Sequence, residues 1–193
     1  MPRISAPTLA EHRARQREAL LSAATELLVA QGPAAVTPAA VGGAAGLARS
    51  SVYQYFGSSG AIIAAIIEDA FPRSSAALRA ATEGLTAPLE IMEAFVRELL
   101  RQAAEGAHRP ATALRGAELP PECLERLDEL HAEQIAPFRA ALLQLGLPDP
   151  RTTGILVSGM LQAAVSAVDG GAEVEAVTEE TLRLLRAAAG VST

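Results

Sequence analysis

The hydrophobic positions of this chain recur with a helical period almost from end to end. Leu20, Ala23, Ala24, Leu27 and Leu28 fall on one side of a first helix expected from about Glu11 to Gln31, stopped by Gly32-Pro33. Val41, Ala45, Leu47, Val52 and Phe56 are spaced to bury one side of each of two short helices between Thr37 and Phe56. Thr37-Pro38 is a helix start, with Thr as N-cap and Pro at the first helical position. Ser58 or Ser59 then caps a long helix whose run Ala61 to Ile67 (AIIAAII) is apolar on every side, which predicts a helix enclosed by others. It should continue past Glu68 and Asp69, with Pro72 as the place for a break or kink.

Further helices follow between breakers. One is expected over about Pro88–Gly106, with Leu89, Met92, Phe95, Val96, Leu99 and Leu100 along a face, and a short one near Pro110–Ala117. Beyond Leu119-Pro120-Pro121, a long amphipathic helix is expected over Glu122–Leu145, with Leu124, Leu127, Leu130, Ile135, Phe138 and Leu142 on its apolar side and a kink at Pro137. Gly146 to Pro150 makes a turn, and helices over Arg151–Val168 and Glu173–Ala189 are split by Asp169-Gly170-Gly171. No strand alternation, internal repeat or low-complexity segment appears beyond an Ala bias. The pattern predicts an all-α protein: a helix-turn-helix domain over residues 1–60, then a larger helical domain over 61–193.

The stretch Thr37 to Gly60, TPAAVGGAAGLARSSVYQYFGSSG, carries the candidate chemistry. Gly46 sits where the chain must turn sharply, and glycine enters positive φ at no steric cost. After it come Arg49, Ser50, Ser51, Tyr53, Gln54 and Tyr55, a polar and aromatic set suited to a major groove. Arg49 can donate two hydrogen bonds to guanine, and Gln54 can pair with adenine or touch the sugar. Ser50 and Ser51 are small enough for close approach, with hydroxyls that reach bases or phosphate. Taken singly, Tyr53 is also plain packing and Arg49 a solvated charge; the set at this spacing points to DNA.

From about Arg13 to Phe71 the chain resembles the DNA-binding region of the TetR/AcrR-type transcriptional regulators. The resemblance rests on the first helix ending at Gln31-Gly32, Thr37 opening the second, the Ala45-Gly46-Leu47 turn, and Ser51-Val52-Tyr53-Gln54-Tyr55-Phe56. It implies that Tyr53 and Tyr55 contact bases and backbone, and that Thr37 holds a phosphate at a helix N-terminus. It also implies an effector pocket in the body whose filling moves two DNA-binding heads apart, and a dimer built on a four-helix bundle. Two departures stand out. Ser59 occupies a position where the family usually has a phosphate-contacting Lys, though the helix end there still offers backbone N–H groups. Gly42 stands where Ala is usual, followed by Gly43, and each poor helix former costs up to about 1 kcal/mol relative to Ala.

Composition refines this picture. Aromatics are 3% of the 193 residues and Trp is absent, so the core must be aliphatic. All 16 basic residues are Arg, which reads as a coding bias. The net charge of −6 divides unevenly: five arginines against three glutamates leave residues 1–60 at +2, and the rest carries −8. A weakly basic head on an acidic body suits local phosphate contact, and tight binding would need two heads. The lone Cys123 excludes an intrachain disulfide, and no signal peptide is visible, so a cytoplasmic location is expected. The longest uncharged stretch, Thr152 to Val168, falls short of a bilayer span and reads as a buried helix, not a membrane segment. Residues 1–10 read as a mobile arm from which Arg3 can reach a minor groove.

In the last two helices, Gly154, Ser158 and Gln162 recur every fourth residue, as do Gly159 and Ala163, and Leu182 and Leu185 continue the pattern. These residues are the expected homodimer interface, with internal packing as the other reading. Met92, Phe95, Leu99, Leu114, Phe138, Leu142 and Met160 are the candidate lining of the pocket that the resemblance implies, for an apolar small-molecule effector, though each taken singly reads first as plain core. His108 and His131, with carboxylates three residues back, are read as solvated surface and not as a metal site. Cys123 has no His partner in sequence, and no glycine-rich phosphate loop, HExxH or GxSxG occurs, so neither enzyme chemistry nor a cofactor is expected. The expected function is a ligand-responsive repressor that binds a palindromic double-stranded DNA operator as a homodimer. The alternative is an all-helical small-molecule-binding protein or enzyme with a non-functional helix-turn-helix, supported only by Gly42-Gly43 and Ser59.

Overall fold

The computed structural model describes residues 9–114 and 118–190. Among them there are helices and turns but no strand, as the all-α reading expects. The helices are α1 (Leu9–Gln31), α2 (Pro38–Ala44), α3 (Arg49–Val52), α4 (Ser59–Thr82), α5 (Pro88–Ala104), α6 (Arg109–Leu114), α7 (Pro121–Gln144), α8 (Pro150–Asp169) and α9 (Val174–Ala188), with a 3-10 turn at Pro33–Ala35. Helix α1 starts at Leu9, just inside the expected arm, and Arg3 lies outside the described residues, as do positions 115–117 of the expected short helix.

The chain divides into two compact units: residues 1–68 with 113–124, and residues 69–112 with 125–193. In the first unit α1 packs on α2, and α2 on α3. Leu20, Ala24, Leu28, Val36, Val41 and Val52 are fully buried there, and Phe56 is nearly so. The AIIAAII run is not enclosed all round. Ile62, Ile63, Ile66 and Ile67 are buried, at the i, i+1, i+4, i+5 spacing of one helix face, while Ala61 is exposed and Ala64 and Ala65 are half-buried. Ser58, not Ser59, caps α4: its Oγ accepts the Ala61 N–H at 3.1 Å. Pro72 lies exposed inside α4, which continues through it to Thr82.

In the second unit α5, α8 and α9 pack against one another. Their shared core joins Leu78, Met92, Phe95, Val96, Leu100, Phe138, Leu142, Val157, Leu161, Leu182 and Leu185. Within it the rings of Phe95 and Phe138 pack at 5.3 Å between centroids, tilted by 55°. Arg186 clamps α9 to α5 through a bidentate pair with Glu93, at 2.7 and 2.9 Å. Leu124, expected on the apolar side of α7, is 44% exposed, and Cys123 is buried one position earlier. Among the described residues no helix is long and apolar enough to cross a membrane.

Candidate functional site

The DNA-facing candidate is built from a turn outward. Thr37 caps α2, accepting the Ala40 N–H at 3.1 Å, with Pro38 in the first helical position. Helix α2 ends in a Schellman closure, in which Leu47 N–H donates to the Gly42 carbonyl at 2.8 Å and Gly46 N–H to the Gly43 carbonyl at 3.3 Å. The closure requires Gly46 at φ 68°, a conformation that L side chains resist.

Gly42 has a different reason to be glycine. A Cβ there would lie 2.9 Å from the Leu47 carbonyl oxygen and 3.0 Å from Val52 Cγ2. The residue that looks like a weak point in sequence is therefore where the Leu47 carbonyl and the Val52 side chain press directly against α2. Gly43 meets nothing within 4 Å and is the one position of the pair where glycine only costs helix stability.

Regular helix in α3 covers only Arg49–Val52, shorter than the expected recognition helix. Tyr53, Gln54 and Tyr55 follow in tightened turns, with Gln54 N–H donating to Ser51 O and Tyr55 N–H to Val52 O. Val52 and Phe56 anchor the segment in the core, at 0% and 4% exposure. Arg49, Ser50 and Gln54 are exposed, Tyr53 is 46% exposed, and Ser51 and Ser59 are half-buried. Arg49 Nη2 donates to Tyr53 Oη at 3.1 Å, and its guanidinium carbon lies 5.6 Å from the ring centre. That bond, one helical turn apart, holds the two residues together and raises the guanidinium above its already high pKa. Tyr55 behaves otherwise: half-buried, its hydroxyl donates to Gln16 Oε1 on α1 at 2.7 Å. It fastens the segment to the first helix.

The effector candidates are scattered differently. Met92, Phe95, Leu99, Phe138 and Leu142 are buried members of the body core, with Met160 against it, whereas Leu114 belongs to the first unit. None of the seven lines the cavity bounded by Ala70, Phe71, Ser74, Ala107, His108, Ala111, His131 and Gln134, or the larger and more open one bounded by Arg97, Arg101, Ala104, Glu105, Val174, Glu175 and Thr178, both in the second unit. His108 is not the solvated surface residue its sequence context suggests. Its Nε2 is buried without a hydrogen-bond partner, because Ala107, Ala111 and Phe71 wall the cavity around it. Burial pushes its pKa below the ordinary histidine range; the Asp169 carboxylate and a hydrogen bond to the Leu99 backbone offset part of this, and His131 adds to it. No sequence spacing links His108, His131 and Asp169, which lie on separate elements.

Of the dimer candidates, Leu182 and Leu185 are 0% and 1% exposed and belong to the core of their own unit. Being fully covered there, they offer a partner no surface. Gly159, Gln162 and Ala163 are exposed, and Gly154 and Ser158 half-buried. On these two helices the large apolar side chains left outside are Ile155 and Leu156 on α8, at 65% and 68%, and Leu184 on α9, at 40%. The residues that the period-of-four pattern picks out on α8 keep exposed or half-buried surface, and those on α9 do not.

Residues 20–66 match the family model of the bacterial regulatory proteins, tetR family. No curated protein matches the chain in sequence. Solved structures do match in fold. A TetR-like transcriptional regulator from Rhodococcus sp. RHA1 superposes with a TM-score of 0.76 at 23% identity, over 92% of this chain and 98% of that one. The TetR-family regulator PfmR from Thermus thermophilus gives 0.71 at 26%, over 86% and 96%. The regulator FadR from Bacillus subtilis, solved in complex with stearoyl-CoA, gives 0.73 at 18%, over 87% and 96%.

The two adjacent glycines should separate on mutation. Gly43→Ala is expected to raise stability by about 0.5–1 kcal/mol, and Gly42→Ala to lower it by about 1–3 kcal/mol, in urea denaturation. Equal effects would mean that the close approach at Gly42 is absent in solution. A pH effect follows from His108. The unfolded chain takes up a proton near the ordinary histidine pKa of about 6.5, before the folded chain does, so stability should fall as pH drops through that value. His108→Asn should flatten this part of the curve between about pH 7.5 and 5.5, measured by denaturant midpoint.

Proposed function

From an N-terminal region of the bacterial tetR family and a body of the fold those regulators share, we propose a ligand-responsive transcriptional regulator, a repressor that binds a palindromic operator as a homodimer. The observation that carries this reading is the exposed ridge of Arg49, Tyr53 and Gln54, held by a closed turn and two buried anchors. Arg49 and Gln54 read base edges, Ser50 and Ser51 permit close approach, and Thr37, Tyr53 and Ser59 meet the backbone. Tyr55 contributes by fixing the ridge to α1 through Gln16. The small positive charge of the head leaves each one a weak binder, so two must act together.

The dimer surface in this reading is the uncharged face of α8, Ile155, Leu156, Gly159, Gln162 and Ala163, with Leu184 of α9 beside it. Burying each large side chain there contributes about 1.5–3 kcal/mol, which supports association. The effector enters between helices of the body. FadR from B. subtilis, of the same fold, was solved with stearoyl-CoA, which supports an effector with an apolar chain. It acts by population shift, binding better to the body conformation whose heads no longer fit the operator spacing.

A gel-shift titration on the DNA upstream of the gene tests the DNA reading. A specific, salt-sensitive complex is expected, weakened by about 1–3 kcal/mol in Arg49→Ala, while Ser59→Lys tightens it and steepens the salt dependence by about one unit of slope. Normal binding by an Arg49→Ala/Tyr53→Ala double variant would sink the assignment of this ridge. For the dimer, Ile155→Asp with Leu156→Asp should convert the protein to monomers in sedimentation velocity with its helical circular dichroism kept. A dimer that survives both charges would move the interface elsewhere.

A further inference from the structure

The charged side chains of α1 divide by face. Leu20, Ala24 and Leu28 form the stripe that this helix sinks into the core of the first unit, each at 0% exposure. Followed back toward the helix start at the i, i+3, i+4 spacing, the same stripe reads Arg17, Gln16 and Arg13. There it leaves the core and meets the end of the DNA-facing segment. Gln16 Oε1 accepts the Tyr55 hydroxyl at 2.7 Å, and the Arg17 guanidinium carbon lies 5.6 Å from the centre of the Phe56 ring. Arg13 stands one turn further out on this face, exposed. The opposite face carries Glu11, Arg15, Glu18 and Ser22 at the same spacing, all of them exposed.

The two faces differ in charge. The outer one sets two carboxylates against one arginine, at i,i+4 and i,i+3 spacings that let them offset one another. The inner one has two arginines and no carboxylate, and neither arginine has an ion-pair partner among the described residues. Arg13, Arg17 and Arg49 are thus three of the five arginines in residues 1–60, and each belongs either to the DNA-facing segment or to the α1 face packed on it. A segment lying in a major groove about 12 Å wide has a phosphate strand on either side. An element fastened to the end of that segment faces one of those strands.

We propose that this face of α1 is a second DNA contact, in which Arg13 and Arg17 take phosphates of the strand flanking the groove that Arg49, Tyr53 and Gln54 enter. The inference rests on the DNA-binding reading and extends its interface from the ridge to the first helix. The forked guanidinium suits a phosphate, and the missing carboxylates leave its charge unspent. Such contacts carry no sequence information but fix register and orientation, so α1 sets how the ridge sits in the groove.

The test is the salt dependence of DNA binding by the full-length chain, read by fluorescence anisotropy. Two labelled duplexes of equal length are used, one carrying the sequence upstream of the gene and one a random sequence. Arg13→Ala is expected to flatten the slope of log affinity against log salt by about 0.9 per head. The natural chain's advantage over it then shrinks by about three- to fourfold per head between about 50 and 200 mM salt. Arg13→Lys keeps a point charge and is expected to restore the slope. Arg15→Ala removes the same charge from the opposite face and should leave the slope in place. Arg17→Met keeps a long stem over Phe56 and should lose as much slope as Arg13→Ala. Alanine is a strong helix former and position 13 is exposed, so Arg13→Ala should keep its helical circular dichroism.

An unchanged slope in Arg13→Ala, or an equal drop in Arg13→Ala and Arg15→Ala, overturns the proposal. The two readings fail separately. An upstream-specific complex whose slope ignores Arg13 removes only the contact through α1. Arg13-dependent binding that is equal on both duplexes keeps that contact and removes the operator upstream of the gene. A natural chain that binds neither duplex removes both.

Discussion

Four residues of regular helix cannot hold themselves in place, since an isolated turn fixes many dihedrals for one hydrogen bond. The DNA-facing ridge therefore depends on the closure at the end of α2. Leu47 N–H reaches back to the Gly42 carbonyl, Gly46 takes the left-handed conformation, and Gly42 leaves no Cβ between α2 and the Leu47 carbonyl. Val52 then falls into the core at 0% exposure, and Phe56 follows. Arg49, Tyr53 and Gln54 are left on the opposite side as a geometric consequence. The Tyr55–Gln16 bond closes the same arrangement from the other end, tying it to α1. The positions of the candidate DNA-reading side chains are thus set by backbone contacts among small residues.

This reverses the meaning of one departure from the family pattern. In sequence, Gly42-Gly43 is two poor helix formers in a seven-residue helix, and with Ser59 it favours a helix-turn-helix that has lost its role. In space, Gly42 is required by a contact and only Gly43 is a propensity defect. Helix propensity is a local quantity and carries no information about what lies across a turn.

The same division runs through what the chain disclosed in advance. Helix order and most boundaries were legible, because period, caps and breakers act over a few residues: Thr37-Pro38, the Gly46 turn and the Asp169-Gly170-Gly171 break all sit where the sequence puts them. The one-sided burial of the AIIAAII run was not legible, since isoleucines and alanines count alike as apolar while only the larger ones are drawn into the core. Nor was the face of α9, where Leu182 and Leu185 serve their own unit and Leu184 is left outside. The His108 cavity was hidden most completely. Its residues come from α4, the approach to α6, α6 itself and α7, and its distinguishing feature is a buried imidazole nitrogen without a partner, which no residue spacing encodes.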